Sequence, residues 1–211
     1  MISVIIPTMW FSHRTVPMLE ELCNNEHVSE ILIVDNNKSI RPPLPESDKI
    51  RMFEQDQNIY CNPAWNLGVS NCKYPICVLL NDDVTFDTKF LKNMSDGLKD
   101  YDVIGVHPNS YRGIKKEDEG KLDNGGRPPH GWGCVLCFKT DKYVEIPDEF
   151  KIWVGDDWIV EAIGNTGSIK MNVQTEMSTT GGRPEMEEMK HKELEVWRKG
   201  LASGLYRFNR Q

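Results

Sequence analysis

Short runs of apolar, largely β-branched residues recur along the chain, separated by segments with a different period. The runs are Ser3–Ile6, Ile31–Val34, Ile50–Phe53, Ile76–Leu80, Val103–Val106, Val135–Phe138 and Ile169–Val173. Most are apolar at odd and even positions alike, which predicts strands buried on both faces. Between several of them the period becomes helical. In Thr15–Asn24 the residues Val16, Leu19, Leu22 and Cys23 share one face. Asn62-Pro63 has the form of an N-cap followed by proline at the first helical position, and Ala64, Trp65, Gly68, Val69 and Cys72 follow at helical spacing. After Asp87, Phe90, Leu91, Met94 and Leu98 repeat the pattern, and in a final helix Leu194, Trp197 and Leu201 face one way. Strand and helix alternate, so the expected fold class is α/β, with a mostly parallel, mixed central sheet flanked by helices.

Two stretches break the alternation. Residues 109–133 carry Gly, Pro and charge in excess, including Asp123-Asn-Gly-Gly-Arg-Pro-Pro-His130, and read as a long loop inside the domain. Residues 178–186 form a second flexible candidate. With 211 residues, the whole chain is expected to be one catalytic-sized domain, 1–105 forming one half and 106–211 the other.

Charge narrows the partners. There are 32 Asp and Glu against 25 Lys and Arg, a net charge of -7, which disfavours nucleic-acid binding through a broad basic face. No run approaches the ~18 apolar residues of a membrane span. Met1-Ile-Ser-Val-Ile-Ile-Pro7 has no basic residues before its apolar run and reads as a first strand, so a cytoplasmic location is expected. The six dispersed cysteines are then expected to be reduced. Cys134 and Cys137 form a CxxC pair inside an apparent strand, where positions three apart point to opposite faces, and no second pair stands at zinc-ligand spacing.

In an open parallel sheet, ligands collect beyond the carboxyl ends of the strands. Polar residues follow the apolar runs at Pro7-Thr8, Asp35-Asn36-Asn37, Asn81-Asp82-Asp83 and, after Ile152–Val154, Gly155-Asp156-Asp157. Asn81-Asp82-Asp83 offers oxygen ligands for a hard divalent cation, Mg²⁺ or Mn²⁺. In an extended chain Asn81 and Asp83 lie on one side and Asp82 on the other. Like charges ~4 Å apart cost roughly 4 kcal/mol at an effective dielectric near 20, so these carboxylates repel a diphosphate unless a cation bridges them. Alternatively, Asp82 and Asp83 open a solvated turn, and Asp156 and Asp157 are acids at a helix N-terminus. His130-Gly-Trp132-Gly133 could form the floor under a sugar, or a turn with a core tryptophan. Arg183 could close over a diphosphate, or lie free on the surface.

In order along the chain, Ser3-Val-Ile-Ile-Pro-Thr8, Ile31-Leu-Ile-Val-Asp35-Asn36, Asn58 with Asn62-Pro-Ala-Trp-Asn66-Leu-Gly68-Val, Leu79-Leu-Asn81-Asp82-Asp83-Val84 and Val154-Gly-Asp156-Asp157-Trp158 resemble the motifs of inverting, family 2-like glycosyltransferases with the GT-A fold. The resemblance covers roughly the first 175 residues. It implies a metal-dependent transfer of a sugar from a nucleoside-diphosphate donor, most often a UDP-sugar, to a hydroxyl of a glycan or glycoprotein. By position it places Pro7, Thr8, Asp35 and Asn66 at the nucleotide, Asn81 and Asp82 at ribose or donor sugar, and Asp83, with Asp82 second, on Mn²⁺ or Mg²⁺. Asp156 falls at the acceptor site and Asp157 at the general base. Trp132 and Gly133 are expected to line a sugar subsite.

The chain also departs from the pattern. Asn81 replaces the usual first Asp, and Trp65 stands where many members have Arg. The late His that often completes the metal site is missing, Ser178-Thr179-Thr180 lying near its place and His191 a few residues on. A sugar nucleotidyltransferase would carry a Gly-rich, Arg-containing loop after its first strand, where this chain has Met9-Trp-Phe-Ser-His13. A dehydrogenase would carry GxGxxG. A nucleotide- or glycan-binding module without activity is the remaining alternative.

Overall fold

The computed structural model describes residues 1–124, 132–176 and 183–208. Its strands are β1 (Ile2–Thr8), β2 (Val28–Asp35), β3 (Ile50–Glu54), β4 (Ile76–Leu80), β5 (Val84–Thr85), β6 (Val103–Val106), β7 (Leu122–Asn124), β8 (Val135–Lys139), β9 (Thr166–Ile169) and β10 (Gln174–Thr175). Its helices are α1 (Thr15–Asn24), α2 (Cys61–Ser70), α3 (Phe90–Gly97), α4 (Gly155–Ile163) and α5 (Pro184–Ser203). Eight strands form one sheet in the order β3-β2-β1-β4-β8-β6-β9-β7, and β5 pairs with β10 in a separate ribbon. Pairing is parallel from β3 through β4 and between β6 and β9, while β8 and β7 run against their neighbours. This is the mostly parallel, mixed α/β sheet that the alternation predicts.

Strand pleat explains why the apolar runs are continuous. Val4 and Ile6, Ile31 and Ile33, Val78 and Leu80, and Val135 and Cys137 pack into one core cluster. The intervening Ile5, Leu32, Cys77, Leu79, Leu136 and Phe138 pack into the other. Residues of α1 and α3 complete the first core, and residues of α2, α4 and α5 complete the second. Helix α2 lies close against β1: a Cβ on Gly68 would stand 2.4 Å from the Ile5 Cγ2.

Several expectations are corrected. The seventh strand is Thr166–Ile169, not Ile169–Val173. Met171 and Val173 are buried, but the amides of Lys170 and Val173 bond to Lys121 and Ser110, outside the strand ladder. Ile152–Val154 is a bend and not a strand. Helix α2 begins at Cys61, with Tyr60 at the cap position in a left-handed conformation (φ 70°), so Asn62 and Pro63 lie within its first turn and Asn62 caps nothing. The long loop contains an edge strand, β7, and three-residue or four-residue 3-10 turns at Lys116–Asp118 and Pro108–Tyr111. Met186 belongs to α5. In α5 the buried positions are Glu193, Trp197 and Gly200, whereas Leu201 is exposed. Cys134 precedes β8 in a 3-10 turn and packs against the same core as Cys137, so the pair does not straddle the sheet. All six cysteines are free, as expected of reduced thiols.

At the amino-terminal end of the sheet, buried Glu30 ties four segments together. Its carboxylate accepts from the Ser3 hydroxyl (2.8 Å), the Lys73 amide (3.0 Å) and the Arg51 guanidinium, which also bonds the Asn71 carbonyl. Burial pushes the Glu30 carboxyl up, and those donors together bring it below the usual carboxylate range. A carboxyl lowered in the folded state contributes stability above its unfolded pKa, and that contribution fades as pH falls through the folded one.

Two predictions follow from this packing. Alanine normally favours a helix interior over glycine by ~1 kcal/mol, yet Gly68→Ala should cost about 1–3 kcal/mol in urea denaturation because fully buried Ile5 must move. Equal stability would show that the contact yields. Glu30→Gln should lower stability by about 1–3 kcal/mol at neutral pH, with the gap to wild type closing below about pH 4. A gap constant across pH would show that the charge plays no part.

Candidate functional site

The sheet opens at its carboxyl end. β1 pairs with β2 through Thr8 and Asp35, but its pairing with β4 ends at Ile5 and Leu79. Beyond that point the two central strands lie unpaired with each other, which makes a crevice at a switch point of the topology. Pro7, half-buried and without an N–H, lies in this stretch, where the β4 ladder no longer requires a donor from it.

A hydrogen bond spans the crevice. The Thr8 hydroxyl donates to the Asp82 Oδ2 at 2.6 Å and accepts from the Trp10 amide at 2.8 Å. The Thr15 hydroxyl holds the Asp82 carbonyl at 3.0 Å. Residues 81–83 are not extended: Asp82 and Asp83 form a turn, with Asp82 drawn to β1. Asp83 lies beside β10, its Oδ1 3.4 Å from the Thr175 hydroxyl and its carbonyl accepting from the Glu176 amide. Both carboxylates are buried. Desolvation, reinforced by the Asp83 charge, raises Asp82 to about 6 against the lowering effect of the Thr8 hydroxyl.

Asp35 is fully buried at the end of β2 and its carboxylate is already engaged. Oδ1 accepts from the Trp10 indole at 2.8 Å and from the Asn37 amide at 3.0 Å, and Oδ2 meets Arg41 at 3.2 Å. Trp10 reaches it from a left-handed backbone (φ 61°), which for a bulky residue carries a cost of order 1–3 kcal/mol.

Asp156, in the first turn of α4, is tied to the segment just before β8. Asp156 Oδ2 accepts from the Gly133 amide at 3.1 Å, just before β8, and the Cys134 carbonyl accepts from the Asn81 amide at 3.1 Å. Asn81, Gly133 and Asp156 are thereby brought together. Burial raises the Cys61 thiol well above its usual value, and the carboxylates of Asp82, Asp156 and Asp83 raise it further. Burial likewise raises Cys134 to about 11, with Asp83 and Asp156 adding to the shift. Asp82, Asp83 and Asp156 thus each lie within electrostatic reach of the Cys61 thiol. Asp157 follows Asp156 in the first turn of α4, half-buried.

The segment leading into α4 is held from both sides. Asn62 of α2 donates from its backbone to the Lys151 carbonyl (2.9 Å) and from its side chain to the Trp153 carbonyl (3.0 Å). Glu193 of α5, itself buried, accepts from the amides of Lys151 (3.0 Å), Ile152 (3.4 Å) and Trp153 (2.9 Å). Desolvation raises the Glu193 carboxyl, and the three amides only partly offset it.

Other candidates lie apart. Both ends of the Asn66 amide are committed to the 143–146 segment: Oδ1 accepts from the Tyr143 hydroxyl (2.6 Å) and the Ile146 amide (3.0 Å), and Nδ2 donates to the Ile146 carbonyl (2.9 Å). The Arg183 guanidinium lies over the ring of Phe11, 5.4 Å from its centre, beside the loop that follows β1. His191 is exposed on α5. His130, Ser178-Thr179-Thr180 and the Trp132 side chain lie outside the described residues.

Sequence reasoning missed Trp10, Arg41, Asn62 as a backbone clamp and Glu193. Only Glu193 left a signal: its place beside Leu194 and one helical turn before Trp197 puts it on the apolar side of α5. Among the described residues, no three His, Cys, Asp or Glu side chains gather into a metal cage. Asp82 and Asp83, two buried acids at one strand end, are oxygen donors of the kind that would suit Mg²⁺ or Mn²⁺ through one or two carboxylates.

The chain matches no curated protein. Among solved structures it is similar to S. aureus TarS 1-349, with 12% identity, a TM-score of 0.59 and coverage of 80% of this chain and 58% of that one. The same TarS fragment in complex with UDP matches at 13% identity and a TM-score of 0.58, covering 80% of this chain and 57% of that one. A longer S. aureus TarS structure matches at 13% identity and 0.58 over 80% of this chain and 35% of that one. This chain thus spans less than two thirds of the structures it resembles, and the likeness concerns the fold. Residues 3–156 match Glycosyl transferase family 2, taking in every strand-end motif from Thr8 to Asp156. The chain belongs to glycosyl transferase family 2.

Proposed function

We propose that the chain transfers a sugar from a nucleoside-diphosphate sugar, with UDP as the favoured nucleotide, to a hydroxyl of a glycan or glycoprotein, with inversion at the anomeric carbon. The observation that carries this reading is the crevice between β1 and β4, bridged by Thr8 and Asp82, with Asp156 of α4 tied to Gly133 just before β8. Family membership and the UDP complex of TarS support the donor class.

In this reading the nucleotide lies along the ends of β1 and β2, against Pro7, Thr8 and the Asp35 network. Asn81 and Asp82 meet ribose or donor sugar. Asp83, with Asp82 second, holds Mn²⁺ or Mg²⁺, which supplies positive charge to the leaving diphosphate. Gly133 permits close approach beside Asp156, since a Cβ there would stand 3.3 Å from Trp65. Asp156 contributes to the acceptor subsite.

Asp157 accepts the proton of the attacking hydroxyl. The acceptor oxygen bonds to the anomeric carbon as the bond from that carbon to the diphosphate oxygen breaks, through an oxocarbenium-like transition state. Burial of Asp82 and Asp83 strengthens electrostatic interactions there.

Calorimetric titration of UDP-sugars should show binding that requires Mn²⁺ or Mg²⁺ and weakens at least tenfold in chelator or in Asp83→Asn. Equal affinity with and without chelator would remove the cation from the reading. Asp157→Asn should bind donor like the wild type and lose transfer by about 10²-fold or more. Undiminished transfer in that variant would exclude Asp157 as the base.

A further inference from the structure

Residues 151–154 form no regular element, yet they determine where α4 begins and therefore where Asp156 and Asp157 stand. The Glu193 carboxylate gathers three successive amides from one side, and Asn62 holds the two flanking carbonyls, of Lys151 and Trp153, from the other. Such a ring of amides is an anion-binding arrangement, here filled by the protein's own carboxylate.

The segment would not hold this shape unaided. Val154 sits in the left-handed region (φ 70°), a poor conformation for a β-branched residue, and its carbonyl accepts from the Trp158 amide at 2.7 Å to start the helix. Gly155 comes so close to Asn62 that a Cβ there would stand 2.1 Å from the Asn62 Oδ1. Strain of this kind persists only where the surroundings over-determine it.

Helix α5 is anchored against α4 by more than Glu193. Trp197 packs edge-on to Trp158 with ring centres 6.2 Å apart, and the Lys190 ammonium lies 4.9 Å from the centre of the Trp153 ring. Glu193 lies beyond residue 156, where the family match ends.

We propose that Glu193 is a positioning residue for transfer: by holding the amides of residues 151–153 it fixes the start of α4 and aims the Asp156-Asp157 pair at the crevice. This inference rests on the reading of Asp157 as general base. Displacement of a reacting group by ~1 Å can cost about 10²-fold in rate, so loosening this ring should lower turnover without touching the nucleotide half of the crevice.

The test compares wild type, Glu193→Gln, Asp157→Asn and the double variant. The glutamine keeps the length of the side chain but sets an amide donor against backbone donors. Glu193→Gln should lower kcat about tenfold or more with the donor KM within about twofold of wild type, while the amides of 151–153 lose hydrogen-exchange protection. In the Asp157→Asn background the same change should cost nothing further in transfer.

A fall in stability with kcat preserved, or a rise in donor KM alone, would overturn the positioning role. If Asp157→Asn is fully active, the base assignment fails, and the exchange data still report whether Glu193 holds the segment. Should Glu193→Gln not fold, Asn62→Ala keeps the backbone bond to Lys151 but releases the Trp153 carbonyl on the other side of the segment, and should give the same split between kcat and KM. An unchanged kcat there would overturn the inference.

Discussion

A carboxylate taken out of water must find donors or be neutralised, and among the described residues this chain buries Glu30, Asp35, Asp82, Asp83 and Glu193. Much of the architecture is arranged around that requirement. Glu30 is satisfied by a hydroxyl, an amide and a guanidinium from three separate segments, and it binds together the end of the sheet remote from the crevice. Asp35 draws an indole, an amide and Arg41 around the end of β2. Glu193 takes three backbone amides. The strongly bound carboxylates thus serve as knots in the fold.

Asp82 and Asp83 are satisfied differently. Asp82 has one short hydroxyl contact, and burial with a like-charged neighbour still lifts it to about 6. No guanidinium or ammonium group pairs with it among the described contacts. A carboxyl raised in this way at the end of a central strand is the kind of perturbed group that functional sites contain.

The sheet was legible because its strands are buried on both faces, which leaves continuous apolar runs. Strand-end acids were legible for a complementary reason: polarity immediately after such a run marks where the strand ends. Residues 169–173 misled because burial and backbone pairing are separate properties; Met171 and Val173 fill the core while their backbone follows a loop. The partners of Asp35 were hidden, since Trp10 and Arg41 reach it through turns whose geometry no periodicity records. Glu193 was hidden by its chemistry, because hydropathy assigns a glutamate to solvent unless the amides that surround it are known.

The reversed strand β8 has a consequence of its own. Since it runs against β4 and β6, the connection from β6 to β8 both leaves and rejoins the sheet at the crevice end. Its described part includes β7, which pairs with β9 at the edge of the sheet, and it returns to the sheet through Gly133, whose amide meets Asp156. A change confined to the return of this connection before β8 therefore bears on the surroundings of Asp156, while the pairings of Val103 with Phe138 and of Leu80 with Val135 keep their register.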